Sequence, residues 1–182
     1  MFFDEDGRCY LYYSRCCYKH AVESEISEWA REKGLFDEVE ESWVYGVELK
    51  PDFSGVRSED KLIFSTPEGY MLGDEGSHFY HIGDWYYVLT INWPWGGVRT
   101  ETCWRSRNID GPYEARTILQ GAFDGRRDGV AQGAIFDTPK GDWYAMMFQD
   151  HGAVGRIPTL QPLTWVDGWP ILGDNTVPVK EF

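Results

Sequence analysis

The sequence predicts an all-β fold of the β-propeller type, incomplete and with one short helical insertion. Aromatic residues make up 16% of the chain, which also holds 20 glycines and 9 prolines, a composition typical of short strands joined by many turns. Three predicted β-hairpins share a glycine turn, at Gly7, Gly83 and Gly141. A tyrosine follows each glycine at the same offset: Tyr10, Tyr86 and Tyr144. These features indicate an internal repeat.

The spacing of the repeat indicates its size. The three turn glycines lie 76 and 58 residues apart, enough for about four strands per unit. Propellers close with roughly four to eight four-stranded blades, and this chain has room for about three. The first hairpin begins at Phe2 with nothing before it to cover its outer strand. We therefore expect residues 1–182 to form one partial domain of a chain that starts late, or a subunit whose partner supplies the missing N-terminal blades.

Local patterns place the elements in order. A first hairpin is predicted over 2–13, and apolar residues at helical spacing predict a helix over 20–33, which would cover an edge or line a site. Alternating patterns predict strands at 43–49, 61–65 and 99–106, hairpins at 78–89 and 133–148, and two short strands within 160–172. Residues 90–97 are expected to form a loop.

Charge and composition exclude several classes of partner. The net charge of −13 argues against nucleic acid, and no apolar run is long enough to cross a membrane. The four cysteines lack metal-ligand spacing. The adjacent Cys16 and Cys17 are a poor disulfide pair, which argues against a disulfide framework. Residues 1–6 lack the features of a signal peptide. Because the chain is expected to start late, its compartment stays open.

Three residues stand out as candidates for ligand binding. Glu75 precedes Gly76 ahead of the central hairpin, where the backbone can approach a ligand closely, although a simple turn role is the alternative. Trp93 and Trp95 flank a proline in the predicted loop. These two side chains are interpreted either as parts of sugar subsites or as a surface plug. Aromatic rings stack on the apolar faces of sugars, so a carbohydrate is the expected partner.

Several motifs resemble glycoside hydrolase family 43, in the same order along the chain. They are residues 2–7 (FFDEDG), 75–80 (EGSHFY), 109–113 (IDGPY), 132–139 (QGAIFDTP), 155–156 (GR) and 165–170 (WVDGWP). The resemblance implies a five-bladed propeller that hydrolyses terminal α-L-arabinofuranosyl or β-D-xylosyl residues of plant polysaccharides and oligosaccharides. It also implies an inverting mechanism with a carboxylic acid and a carboxylate base.

The resemblance assigns roles to particular residues. Glu75 matches the general acid of the Glu-Gly-Xaa-His motif, with Asp74 a candidate for raising its pKa. Arg156 matches an arginine that contacts the sugar, although a surface salt bridge is the alternative. The remaining substrate-binding candidates are Gln132, Trp93, Trp95 and His78. The base and the pKa-tuning carboxylate are expected before Met1, so catalysis by this chain is expected to be impaired.

The resemblance also bears on cofactors and on rival functions. Ala131 replaces the family histidine that often ligates a central calcium ion, and His151 is either its substitute or a hydrogen-bonded turn residue, so no cofactor is predicted and calcium stays open. One rival function is a non-catalytic carbohydrate-binding propeller fragment. A second is a subunit whose partner chain contributes the missing blades and the base.

Overall fold

Three separate four-stranded antiparallel sheets make up the fold. The computed structural model describes residues 1–16, 42–66, 70–94, 97–126 and 128–180. Within these ranges the only helical element is a single 3-10 turn at Gly152–Val154, and no helix there is long and apolar enough to cross a membrane. The all-β prediction is confirmed. The helix predicted over 20–33 lies outside the described residues.

The strands of each sheet pair in chain order. Sheet 1 contains β1 (Phe2–Phe3), β2 (Cys9–Cys16), β3 (Ser42–Leu49) and β4 (Lys61–Ser65). Sheet 2 contains β5 (Tyr70–Ile82), β6 (Trp85–Pro94), β7 (Thr100–Ser106) and β8 (Glu114–Gln120). Sheet 3 contains β9 (Ala131–Asp137), β10 (Trp143–Asp150), β11 (Arg156–Val166) and β12 (Trp169–Leu172).

The predicted repeat is present in the sheets. Gly7, Gly83 and Gly141 each lie in the turn between the first and second strands of a sheet, with φ angles of 82°, 60° and 85°. This left-handed region is open to glycine without steric cost. Each turn starts a meander of four strands, so the predicted unit of about four strands is confirmed.

The strand that carries Glu75 is longer than predicted. We expected Glu75 to precede a strand that begins at His78, but β5 already begins at Tyr70. The pairing of β5 with β6 shifts register on both sides of Glu75, as β-bulges do. Gly76, with a φ of 65°, is one of the bulge residues. A glycine beside a polar residue is also typical of a turn, so the sequence pattern at this position resembles a turn although it belongs to bulges inside a strand.

Other boundaries differ for related reasons. The prediction of a loop over 90–97 was wrong for residues 90–94, because β6 continues to Pro94. Proline is accommodated there because it lies at the end of the strand. The strand β8 was missed, since four of its seven residues are exposed and show no clear alternation. The last hairpin is longer than predicted, with β11 beginning at Arg156.

Sheet 2 lies between the other two sheets, and each of its faces packs in a separate core. Val88 and Leu89 are adjacent in β6 and both fully buried, but they point to opposite faces, as strand geometry requires. Val88 joins Trp104 and residues of sheet 1, including Phe64, whose ring stacks on Trp104 at 3.9 Å. Leu89 joins Met147 and other residues of sheet 3. Sheet 2 is therefore held from both sides.

Candidate active site

Most of the predicted site residues lie toward one end of the sheets. Glu75 is in the first half of β5, Trp93 is near the end of the antiparallel β6, Gln132 is near the start of β9, and Arg156 begins β11. The Gln132 N–H of β9 donates to Glu101 of β7, and Arg99, just before β7, donates to the carbonyl of Gly129, just before β9, so these ends of sheets 2 and 3 meet. Trp95 lies outside the described residues.

Glu75 is half-buried and presents its carboxyl group from inside a sheet. It pairs with Ile91 of β6, which is almost fully buried on the face toward sheet 3. Within the described part of the chain, its carboxyl group makes no hydrogen bond or ion pair. A partly solvated carboxyl group on a rigid strand is available to a ligand, which a turn residue saturated by local hydrogen bonds is not.

Asp74 is fully buried and points toward the core between sheets 1 and 2. Its carboxylate accepts hydrogen bonds from the Thr66 hydroxyl at 2.6 Å, the Trp104 indole N–H at 3.1 Å and the Asn92 amide at 3.3 Å. The Thr90 hydroxyl also donates to it. The backbone N–H of Asp74 donates to Thr66 Oγ1 at 2.8 Å. These contacts fix the backbone of β5 directly before Glu75.

Gln132 lies against the residue that follows Glu75. A Cβ atom placed on Gly76 would come within 2.7 Å of Gln132 Nε2, so any larger residue would require this side chain to move. Gln132 has a φ of 59°, unusual for a residue other than glycine. Its backbone N–H donates to Glu101 Oε2 at 2.7 Å. The structure thus brings Gln132 and the Glu75–Gly76 segment together.

Glu101 is a fully buried carboxyl group in β7. Burial raises its pKa well above the ordinary value, and the hydrogen bond from the Gln132 N–H offsets part of this effect. The positive charge of Arg99 also lowers this pKa, whereas the negative charge of Asp74 raises it. The side chain has no access to a substrate.

Arg156 forms the salt bridge that was the alternative to a sugar contact. Its Nε lies 3.4 Å from Asp150 Oδ1, and its guanidinium lies over the Phe148 ring at 4.6 Å. Buried Arg99 donates to the other oxygen of Asp150 at 2.9 Å. The Arg156 side chain is still 61% exposed, so this ion pair contributes little to stability and leaves the guanidinium accessible.

The remaining two candidates lie on either side of Glu75 along the hairpin. Trp93 is half-buried, and its indole N–H donates to the Gly97 carbonyl at 3.1 Å. His78 is exposed, and the pKa of its imidazole is lowered because the surrounding protein replaces part of its water. Among the described residues, no hydrogen bond or ion pair connects either side chain to Glu75.

The position of the family's calcium ligand does not suit a metal. Ala131 is fully buried and has no ligand atom. In the described ranges, no three His, Cys, Asp or Glu residues lie close enough to hold a metal ion. The residues present therefore do not fit a histidine-led calcium site.

Sequence reasoning missed the buried charged residues around the site. Glu101 and Arg99 were read only as part of the strand predicted over 99–106, and Asp150 was not singled out. No local signal marks these residues as buried, because an antiparallel sheet can leave one face in water. Alternation alone does not show that sheet 2 is covered on both faces.

Comparison with known proteins identifies the family. The model of glycosyl hydrolases family 43 matches residues 1–170. A putative β-xylosidase of Xylanibacter ruminicola is 36% identical over 127 residues, which cover 69% of this chain and 23% of that protein. A β-xylosidase of Formosa agariphila is 30% identical over 158 residues, covering 74% of this chain and 26% of the relative.

Solved structures share the fold. A bifunctional GH43-CE protein of Bacteroides eggerthii superposes with a TM-score of 0.76 and 37% identity, over 100% of this chain and 20% of that one. A xylan β-1,4-xylosidase of Bacillus halodurans superposes with a TM-score of 0.72 and 22% identity, over 99% of this chain and 34% of that one. The chain thus spans about a quarter of the length of the curated relatives named above. By its match over residues 1–170, the chain belongs to glycosyl hydrolases family 43.

Proposed function

We propose that this chain carries the general acid, Glu75, of an inverting glycoside hydrolase. Its substrates are terminal α-L-arabinofuranosyl or β-D-xylosyl residues of plant polysaccharides and oligosaccharides. Family membership supports this proposal, as do relatives named β-xylosidase and non-reducing end α-L-arabinofuranosidase. The observation that carries it is the half-buried Glu75 carboxyl group, which has no hydrogen bond or ion pair with the described residues and lies on a bulged strand beside Gly76.

In this mechanism Glu75 protonates the oxygen of the leaving group while a base activates water on the opposite face of the sugar. Arg156 supplies an accessible cation for the sugar hydroxyls, held by Asp150 and the Phe148 ring. Gln132 contributes a carboxamide beside Gly76. Trp93 and Trp95 supply aromatic surface for stacking, and His78 a polar side chain on the same strand as the acid.

The base is not among the buried carboxyl groups of the chain. Inverting enzymes hold their two carboxyl groups roughly 6.5–9.5 Å apart, with a water between the base and the sugar. Asp74 and Glu101 have 0% and 1% of their surface exposed, so neither can activate a substrate water. Asp4 is buried too, and it accepts from the Tyr86 hydroxyl at 3.1 Å. We propose that the base and the pKa-tuning carboxylate precede Met1, as the family resemblance implies.

We also propose that the three sheets belong to a five-bladed propeller. Apolar side chains are exposed on the face of sheet 1 that points away from sheet 2, with Leu11 at 39% and Leu62 at 53%. The far face of sheet 3 exposes Phe136, Met146 and Leu160. Faces of this kind are typical of sheets that pack on further sheets, and missing N-terminal blades would cover one of them.

The test is hydrolysis of 4-nitrophenyl α-L-arabinofuranoside and 4-nitrophenyl β-D-xyloside. It compares the 182-residue chain, a version extended by the residues encoded upstream of Met1, and each with Glu75→Gln. Glu114→Gln is the matched control, because Glu114 is an exposed carboxylate of sheet 2 that pairs with Arg105. We expect turnover in the extended protein, a loss of about 100-fold or more with Glu75→Gln, and no effect of Glu114→Gln.

Other outcomes separate the rival functions. Sugar binding without turnover in any version, unaffected by Glu75→Gln, would show a carbohydrate-binding domain. Activity that appears only when a separate N-terminal chain is added would show a two-chain assembly. Turnover that survives Glu75→Gln on both substrates would contradict the role of Glu75. NMR of the first product anomer decides between inversion and retention.

A further inference from the structure

The first strand of sheet 3 is held by side chains of sheet 2. β9 pairs with β10 on one side only, so some of its N–H groups point away from its own sheet. Two of them are bound by acceptors of sheet 2: the Gln132 N–H donates to Glu101 Oε2 at 2.7 Å, and the Ile135 N–H donates to the Tyr80 hydroxyl at 2.9 Å. Sheet 2 therefore sets the position of β9 through these two contacts.

Glu101 lies in the same cross-strand row as Glu75. Glu75 pairs with Ile91 in β6, and Ile91 pairs with Glu101 in β7. Residues directly opposite each other point to the same face of a sheet, here the face toward sheet 3. Two strand spacings place the two backbones about 9–10 Å apart. The register thus assigns both residues to the face toward sheet 3, with Glu75 half-buried and Glu101 fully buried.

Gln132 connects the two glutamates. Its backbone N–H binds Glu101, and its carboxamide packs on Gly76, the residue after Glu75. Its φ of 59° is unfavourable for a residue with a side chain and persists only where the surroundings hold it. A hydrogen bond to a buried carboxyl group, on a segment packed against Gly76, is such a restraint.

We propose that Glu101 is a positioning residue for the acid: it holds Gln132 against Gly76 and thereby fixes the Glu75 carboxyl group at the bulge of β5. This inference rests on the proposed function of Glu75. Glu101 itself is buried and does not touch the substrate. Its loss acts through the position of Glu75, so it weakens proton donation selectively rather than all catalysis.

A merely structural role of Glu101 would not change how kcat/KM depends on the leaving group, so this dependence is the readout. A leaving group of low pKa, such as 2,4-dinitrophenolate, departs without protonation, whereas a poor one such as an alkoxide needs the acid. The experiment compares 2,4-dinitrophenyl, 4-nitrophenyl and methyl glycosides of the preferred sugar. The enzymes are the active protein and its Glu101→Leu, Glu75→Gln and Tyr80→Phe variants. Tyr80→Phe is the matched control, because it removes the other acceptor of a β9 N–H but leaves Gln132 untouched.

We expect Glu101→Leu to lower kcat/KM by about 10- to 100-fold on the methyl glycoside, since small misplacements of a catalytic group have effects of this size. On the dinitrophenyl glycoside its loss should stay below about 3-fold. Glu75→Gln should show the same pattern with a larger loss, and Tyr80→Phe should show no dependence on the leaving group. Equal losses on all three glycosides in Glu101→Leu would overturn the positioning role. Survival of methyl glycoside activity in Glu75→Gln would instead overturn the proposed function.

A second measurement decides the proposal even if no glycoside is hydrolysed. Amide hydrogen exchange should accelerate at least about 10-fold at Gln132 in Glu101→Leu. Tyr80→Phe should accelerate exchange at Ile135 and leave the Gln132 rate unchanged. An unchanged Gln132 exchange rate in folded Glu101→Leu would refute the connection.

Discussion

Replacing Asp74 by alanine should lower the free energy of unfolding by about 2–6 kcal/mol. The carboxylate is fully buried and, among the contacts within the described residues, accepts from four side-chain donors, on Thr66, Thr90, Asn92 and Trp104. Trp104 keeps a second acceptor, Thr90 Oγ1 at 3.2 Å, and the Asn92 amide keeps another at 2.8 Å. The two threonine hydroxyls lose their acceptor in a dry interior. Two unsatisfied donors at about 1–3 kcal/mol each give the predicted range.

Two further variants make the prediction specific. Asp74→Asn keeps the shape and one acceptor oxygen but turns an N–H group toward these donors, so its loss should be about 1–3 kcal/mol. Asp6→Ala removes an exposed carboxylate that binds Arg8 at 2.6 Å and should change stability little, because exposed ion pairs contribute little.

The assay is urea unfolding followed by tryptophan fluorescence, with the free energies compared at a constant m-value. An Asp74→Ala loss no larger than that of Asp6→Ala would refute the reasoning, because the buried donors would then have found other partners. A change in m-value would mean that the native or the unfolded ensemble had changed, and the comparison would not hold.

Two other variants test the segment between the sheets. Full burial raises the pKa of Glu101, so the native state keeps a proton that the unfolded state releases. The free energy of unfolding therefore falls as pH rises from about 4.3 toward the native pKa, by up to about 1.4 kcal/mol per pH unit. Urea unfolding at a series of pH values should show that Glu101→Gln removes this decline and that Glu114→Gln keeps it. If the free energy of unfolding changed with pH in the same way in both variants and the unmodified chain, the burial effect would be contradicted. Gly76→Ala should destabilise more than Gly83→Ala, because both have positive φ, at 65° and 60°, but only the first Cβ would meet Gln132, at 2.7 Å. Adding Gln132→Ala should abolish this difference in thermal unfolding, and a difference that persists would place its cause in the backbone.

The repeat could be predicted because it depends on local chemistry. A turn that needs positive φ selects glycine, and the turns at Gly7, Gly83 and Gly141 are set by that requirement alone. The strand predicted over 61–65 matches β4, and that over 43–49 differs from β3 by one residue. In β3, half-buried and buried residues alternate over 43–46, so its pattern is clear, whereas β4 buries the adjacent residues Ile63 and Phe64.

The bulged strand and the buried charges could not be predicted in the same way. The pattern around Gly76 is ambiguous, since a glycine at positive φ serves a turn and a bulge equally well. Glu101 looks like a surface residue until sheet 3 covers it, and its partner Gln132 is 31 residues away in sequence. Contacts of this kind depend on how sheets pack, and no local pattern encodes that. The resemblance singled out Glu75 and Gln132 as candidates but not the groups that contact them.

The three carboxyl groups around β5 differ in what they can contact, and this difference explains the site. Asp74 faces sheet 1, Glu101 faces sheet 3, and both are buried and hydrogen-bonded; Glu75 is half-buried and keeps access to solvent. Burying two ionisable groups is costly, and apolar side chains of similar shape would fill the same spaces without desolvation. Apolar side chains, however, accept no hydrogen bonds, so they could not hold Gln132 or the backbone of β5 in register. The buried carboxyl groups therefore make sense as restraints on position, and they leave Glu75 as the one member of the three that can exchange a proton with a ligand.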